Sequence, residues 1–327
     1  MRDLDRLIVR FRQFGGIRLV WEYAKMGVLW VGVKEVVRCA IKGRSFKSVY
    51  PVVTRLIDKE LVNKYGNVNG NANHYSKAQT IQDSDCENEN RVWFCWLQGI
   101  ENAPELVKAC LRSIKRNVTE DVVVIDEKNY TDYVTLPEYI VEKYRKGIIP
   151  PALFSDLLRL ELLIHHGGTW IDSTVFTTGN MKDEKEVFGK FWQEIQKSEL
   201  FLYRYIRNGR VHGISNWFIH AKAGNPLLIE LRDMLYAYWR DYNCTVEYYI
   251  FHVFFGVLAK RHPEMMRNMP MANSYKAIIL AHNLDKPFDE EWWQKLTANV
   301  PFHKLNYRKE PKEAKGTFFQ FIIDMYK

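Results

Sequence analysis

Residues 151–176 read PALFSDLLRLELLIHHGGTWIDSTVF, a helical period that gives way at two glycines to a β period. Apolar residues recur at three and four as far as His166, which predicts an amphipathic helix. Gly167-Gly168 ends it, because glycine takes turn conformations without steric cost. TWIDSTVF then has the aromatic and β-branched character of a strand. On the helix, Asp156 and Arg159 stand at i and i+3, neighbours on one face. Along the strand, alternation puts Asp172 and Thr174 on one side and Ser173 on the other. An acid and a base from the helix and a carboxylate from the strand are thus expected to meet at one sheet edge. The helical pair alone also has a plainer reading, a surface ion pair worth about 0–1 kcal/mol.

The flanking sequence says what kind of sheet this is. Residues 91–99, RVWFCWLQG, are a short apolar run closed by Gly99 and read as a buried strand. Pro104 opens a helix, a position where its missing N–H costs nothing, and DVVVID follows as a second β-run. Strand, helix and strand within about 35 residues are the signature of a parallel βαβ unit. A helix near 137–146, β-runs at 200–203 and 215–220, and helices at 225–240 and 246–260 continue the alternation. The expected fold class is α/β.

Residues 1–65 read instead as helices only. Residues 66–90 are rich in Asn, Asp and Ser and poor in core formers, a linker or an exposed loop, which leaves 91–327 as the main domain. The net charge of +8 is concentrated at one end, with eleven Lys and Arg against four acids in residues 1–47. A nucleic-acid enzyme carries its positive charge around its cleft, so nucleic acid is not an expected partner. An anionic surface met by residues 1–47 is. The apolar stretch 19–37 is interrupted by Glu22, Lys25, Lys34 and Glu35, short of the roughly 20 apolar residues of a spanning helix. With Trp21 and Trp30 it suits the headgroup layer of an anionic membrane; a helical hairpin docked on the catalytic domain is the alternative. The first 18 residues are too charged for a secretory signal. Five cysteines, odd in number and without metal-ligand spacing, read as reduced thiols of a cytoplasmic protein.

No GxGxxG or GxxxxGK[ST] phosphate loop, GxSxG elbow or HExxH pair occurs, which argues against several common enzyme classes. What is present suits a ligand with many hydroxyls and a diphosphate. The pattern S-D-x-L-R-x-x-x-L followed by G-G-x-[WY]-[IL]-D-x-[TD] resembles the capsular polysaccharide synthesis proteins. These are bacterial glycosyltransferases of the GT-A fold, related to glycosyltransferase family 32. The likeness runs over residues 91–308 and includes WFCWLQG, ENAPELVKAC, VVVIDEKNY, SNWFIHAKAGNPLL and the late HKL. It implies a GT-A-type, Rossmann-like mixed sheet flanked by helices, preceded by the helical extension.

The resemblance also assigns roles. Trp96, Gln98 and Gly99 match the segment that packs on the nucleotide base. Ser155, Asp156 and Arg159 match the group that grips ribose or donor-sugar hydroxyls, and Asn216 and Trp217 fall on a sugar-side or acceptor-side strand. Asp172 matches the first acid of the DxD sequence, which contacts donor and metal. Thr174 stands where many relatives carry a second Asp, the usual metal ligand. A divalent cation, Mn²⁺ or Mg²⁺, is implied, with His303 as a candidate second ligand and Lys304 as a point charge for the diphosphate. His303 reads equally as an ordinary buried histidine. Tyr248, Tyr249 and His252 lie on an expected helix and are acceptor-side candidates, although such a stripe is also ordinary core. His165 and His166 are explained by the helix dipole.

The implied activity is retaining transfer of a sugar from a nucleotide diphosphate, a UDP-sugar, to a glycan on polyprenyl diphosphate at the inner face of the cell membrane. In that geometry the departing phosphate oxygen takes the acceptor's proton, and no second carboxylate is needed, unlike the paired acids of most glycosidases. Two other classes compete: a metal-assisted phosphotransferase or hydrolase using Asp172 and His303, and a non-catalytic sugar-nucleotide-binding or scaffold member, which Thr174 keeps open.

Overall fold

The computed structural model describes residues 12–42, 49–66, 90–309, 311 and 314–326. Along the chain run α1 (Ile17–Lys25), α2 (Val28–Ile41), α3 (Val49–Tyr65), β1 (Val92–Cys95), α4 (Glu105–Asn117), β2 (Val122–Ile125) and α5 (Glu138–Arg145). Next come α6 (Pro151–His166), β3 (Gly168–Ile171), β4 (Val175–Thr177), α7 (Val187–Lys197), β5 (Leu200–Arg207) and β6 (Arg210–Ala221). The last are α8 (Pro226–Asp241), α9 (Ile250–Arg261), α10 (Pro263–Asn268), α11 (Ser274–Ala277), α12 (Glu290–Thr297), β7 (Phe302–Lys304) and α13 (Phe318–Met325). The chain divides into two units. One is Met1–Gln82, Thr135–Leu160 and Pro226–His262; the other is Asp83–Val134, Glu161–Asn225 and Pro263–Lys327.

The second unit holds the sheet, in strand order β2-β1-β3-β6-β5. β1 runs parallel to β2, with Val92 opposite Val122, and parallel to β3, with Val92 opposite Thr169. β6 is antiparallel to both β3 and β5. This is the mixed, helix-flanked arrangement that the GT-A resemblance implies. β1 and β3 are buried along their whole length, as near-continuous apolar strands of a covered parallel sheet should be. β5 turns into β6 at Asn208-Gly209, with φ of 50° and 70°, the positive values that a two-residue hairpin of matching twist requires. β4 and β7 form a separate antiparallel pair. Phe176 of β4 packs there with Leu106 and Cys110 of α4, Trp293 of α12 and Phe318 and Ile322 of α13.

The expected single strand TWIDSTVF is therefore two. β3 stops at Ile171, the Val175 amide donates to the Asp172 carbonyl at 2.9 Å to close a turn, and β4 leaves for the other sheet. The Leu305 amide, donating to the Thr174 carbonyl at 2.8 Å, starts that second pairing. Apolar content on both sides of the turn hides the break in the sequence.

The first unit is helical. α2 packs on α1 and α3, α3 on α8 and α9, and α8 on α5 and α9. Gly27 takes a left-handed φ of 69° between α1 and α2, which interrupts the apolar stretch 19–37. Tyr23 donates its hydroxyl to the Val246 carbonyl at 3.0 Å, and the Thr245 amide donates to the Phe14 carbonyl at 2.9 Å. The N-terminal helices thus share a unit with residues 135–160 and 226–262. Most of the expected linker, with Cys86, lies outside the described residues, as do residues 1–11 and 43–48. Among the described residues no helix is long and apolar enough to cross a membrane. Cys39, Cys95, Cys110 and Cys244 are buried thiols.

Candidate active site

The three parallel strands end together at Cys95, Ile125 and Ile171, and the loops that leave this edge carry the polar groups, the usual place for a ligand in an α/β sheet. The bend into β3 is held by the Trp93 indole, which donates to the Gly167 carbonyl at 2.8 Å. Gly168 has φ of 90°, and a Cβ there would strike the Arg91 carbonyl; the second glycine is a steric requirement as well as a turn. Beyond the strand, the Asp172 amide donates to the Trp217 carbonyl at 2.8 Å. Its carboxylate is then fixed from two sides. Trp170 Nε1 donates to Oδ1 at 2.9 Å, and Lys304 Nζ donates to Oδ2 at 2.7 Å. The same ammonium donates to Thr174 Oγ1 at 2.7 Å. The structure thus brings together Asp172, Thr174 and Lys304.

Trp96, Gln98 and Gly99 form the turn after β1, closed by the Gly99 amide donating to the Trp96 carbonyl at 3.0 Å. Gln98 is exposed. The Trp96 ring meets Tyr307 edge-on at 5.4 Å, and its indole N–H is buried without a hydrogen-bond partner. A buried donor left in that condition is unusual in a folded protein. Tyr307 and Trp170 had not stood out in the sequence. Trp170 has a legible signal, its i, i+2 spacing from Asp172; Tyr307 has none beyond its closeness to the HKL segment.

Two expected site residues are placed elsewhere. In β7, His303 and Lys304 point to opposite faces, as neighbours in a strand must. Lys304 therefore reaches Asp172, while His303 is wholly buried and shares a 3.0 Å hydrogen bond between its Nε2 and Thr178 Oγ1. Burial pushes the imidazole down to about 3, so it is neutral. His303 and Asp172 do not form a ligand pair. Trp217 is also a core ring, stacked on Tyr203 with centroids 4.4 Å apart; it serves Asp172 through its carbonyl. Its neighbour Asn216 is half-buried in β6.

In the first unit, α6 brings Ser155, Asp156 and Arg159 together. Arg159 is buried, its Nη2 3.1 Å from Asp156 Oδ1. Its Nε donates to the Ser155 carbonyl at 3.2 Å and its Nη2 to Ser155 Oγ at 3.3 Å. This is not the exposed pair of the plainer sequence reading. Burial, and secondarily the Arg159 charge, push His252 down to about 4, and its Nδ1 has no hydrogen-bond partner. The i, i+4 relation expected between Tyr248 and His252 is absent because α9 starts only at Ile250. The Glu247 carboxylate accepts the Tyr249 amide at 2.7 Å, which holds the preceding residues in a turn. Tyr248 stacks instead on Phe14 at 5.8 Å, and Tyr249 is exposed.

The resemblance implies a divalent cation beside Asp172, and the groups present do not fit one. Both Asp172 oxygens accept N–H donors, and the third position of the motif is a hydroxyl that accepts from the same lysine. A divalent ion about 4 Å from that ammonium would meet a repulsion of about 8 kcal/mol at an effective dielectric constant of about 20. Among the described residues no three His, Cys, Asp or Glu side chains are grouped to hold a metal.

Fold and site together define a mixed α/β protein with a carboxylate–ammonium pair at the carboxyl edge of its parallel strands. The chain belongs to the family of capsular polysaccharide synthesis proteins, whose model matches residues 40–322. That match begins well before Arg91 and takes in α3. Over 197 residues the chain is 26% identical to O-glycosyltransferase braB of Annulohypoxylon truncatum, covering 56% of this chain and 42% of that one. It thus spans less than half the length of that relative. Among solved structures, the PaToxG glycosyltransferase is similar with a TM-score of 0.36 at 14% identity, over 55% of this chain and 73% of that one. The apo-form glycosyltransferase GlyE of Streptococcus pneumoniae TIGR4 has a TM-score of 0.39 at 10% identity, over 72% of this chain and 59% of that one. The strand order β2-β1-β3-β6-β5 defines the fold.

Proposed function

We propose that this chain is a retaining glycosyltransferase that moves a hexosyl group from a UDP-sugar to a polyprenyl-diphosphate-linked glycan at the inner face of the cell membrane. The observation that carries the reading is the Lys304 ammonium, held between Asp172 and Thr174 at the edge where the parallel strands end. Family membership supports it.

As the donor bond breaks, negative charge grows on the departing diphosphate, and a fixed ammonium lowers the energy of that state without reorganising. Asp172 aims Lys304, and Trp170 aims Asp172. The half-buried Trp96 stacks on the base. Within the first unit, Asp156 and Arg159, rigid in their mutual ion pair, offer a fixed acid and base to sugar hydroxyls. Attack from the face that the diphosphate leaves lets a phosphate oxygen take the acceptor proton, so the lack of a carboxylate base is no obstacle. The phosphotransferase alternative loses its support, because it needed His303 beside Asp172.

The same reading assigns residues 1–47 to an anionic membrane surface. Trp30, Val33, Val37 and Ile41 of α2 are exposed and spaced along one helix face, and Ile17, Val20 and Trp21 of α1 repeat the pattern. Arg18, Lys25, Lys34 and Arg38 accompany them, the composition of a helix that lies in the headgroup layer. The test is mass analysis of lipid-linked oligosaccharide after incubating the full chain with a panel of UDP-sugars. A product one hexose heavier is expected, with the donor's anomeric configuration retained as read from the NMR coupling of its anomeric proton. Failure of the whole donor panel on native lipid-linked acceptors would defeat the reading.

A further inference from the structure

We infer that Lys304 supplies, as part of the chain, the positive charge that a divalent ion supplies in relatives with a second Asp, so donor binding here is independent of metal. The inference rests on the donor site proposed above. Three observations converge on it. Lys304 Nζ lies 2.7 Å from both Asp172 Oδ2 and Thr174 Oγ1, the two side chains that correspond to the metal-contacting positions. An ammonium has three N–H donors; these two partners take two, and the side chain keeps 25% of its surface exposed for a third. The ammonium is also placed by backbone pairing. Val175 lies opposite Lys304, and Leu305 N donates to the Thr174 carbonyl at 2.8 Å, so β7 delivers this residue to the turn in one register.

Charge accounts for a threonine beside this lysine. A second acid at position 174 would leave two carboxylates around one ammonium, whereas a threonine hydroxyl accepts its hydrogen bond without adding charge. Thr174 and Lys304 thus act as a matched pair, and a phosphate oxygen takes the third N–H of a lysine that is already oriented.

Calorimetric titration of the full chain with UDP, GDP, CDP and ADP, in EDTA and then in Mn²⁺, tests this. One of these nucleotides should bind with a Kd that changes less than twofold between the two conditions. Lys304→Met should weaken it at least tenfold, and Lys304→Arg should restore most of the loss, with thermal melts confirming that both variants fold. Paramagnetic resonance of Mn²⁺ supplies a readout free of nucleotide. The wild type should leave the free-ion signal unchanged, and Thr174→Asp combined with Lys304→Ala should quench it. Nucleotide binding that disappears in EDTA would overturn the inference and leave the transferase reading standing. Absence of binding to all four nucleotides in both conditions would overturn both.

Discussion

Lys304 donates from Nζ to Oδ2 of Asp172 at 2.7 Å across 132 positions of sequence. The connection depends on two strands of three residues each, β4 and β7, which turn the end of the chain back onto the loop after β3. A charge and its partner are therefore set by backbone hydrogen bonds rather than by long flexible side chains alone. Such preorganisation is what electrostatic catalysis demands.

Asp172→Asn is expected to lower sugar transfer at least a hundredfold while the melting temperature moves by only a few degrees. The amide oxygen still accepts from Trp170, so the turn persists, but Lys304 loses its aiming charge. Loss of one preorganised electrostatic contact costs about 10²–10³ in rate. Single-turnover transfer with saturating donor measures it, and near-wild-type turnover would remove Asp172 from the mechanism.

Arg159→Ala should destabilise the protein by up to about 3–5 kcal/mol, because it removes the guanidinium 3.1 Å from the buried Asp156 carboxylate. Asp156→Asn combined with Arg159→Met removes both charges and should recover most of that loss, as read by urea unfolding.

Much of this was legible beforehand, for physical reasons that differ by residue. The α6–Gly167–Gly168–β3 block could be read because a change of hydrophobic period and two obligatory glycines are local signals. The Asp156–Arg159 pair follows from helical spacing, but its burial depends on what packs around it, which no local signal carries. Asp172 and Thr174 were expected together through strand alternation; they are together through a turn, with Lys304 as the link. His303 and Lys304 were one motif in sequence, and a strand's alternation sends them to opposite sides. The sequence reading placed β-runs at 200–203 and 215–220 and missed the hairpin at Asn208-Gly209, whose turn chemistry is a local signal; the split of β3 from β4 carries no such signal, since both flanks are equally apolar.

Membrane association should depend on the exposed indoles. Trp21 and Trp30 are 63% and 72% exposed, so replacing both with Ser leaves the packing of the first unit intact. Truncating residues 1–47 would not, since Leu19, Val28 and Cys39 are buried. Partition of the full chain to vesicles with 30% anionic lipid is expected to fall more than tenfold in the double variant. It should also weaken with salt, each nearby Lys or Arg contributing about 1 kcal/mol at low ionic strength. Equal sedimentation of the variant and the wild type with vesicles would exclude this face.

Stability should rise with pH between about 4 and 6.5. Burial pushes His220 and His252 down to about 4 and His303 to about 3. Each has one ring nitrogen, Nε2 in His220 and Nδ1 in the other two, buried without a hydrogen-bond partner. Protonation would place an unsatisfied N–H and a charge there. In the unfolded chain the same imidazoles titrate near 6.5, so below that pH the unfolded state binds more protons and folding loses free energy. The loss begins as pH falls through 6.5 and levels off below the folded values. Each histidine contributes a slope of up to about 1.4 kcal/mol per pH unit. His166, also lowered by burial, adds to the trend, while Glu247 and Asp58, raised by burial, oppose it. Urea unfolding from pH 6.5 to 5 should show a positive slope of stability with pH, and His303→Gln, which keeps an acceptor or donor for Thr178 but cannot titrate, should reduce that slope. A flat profile in the wild type would mean that these rings carry no buried neutral form.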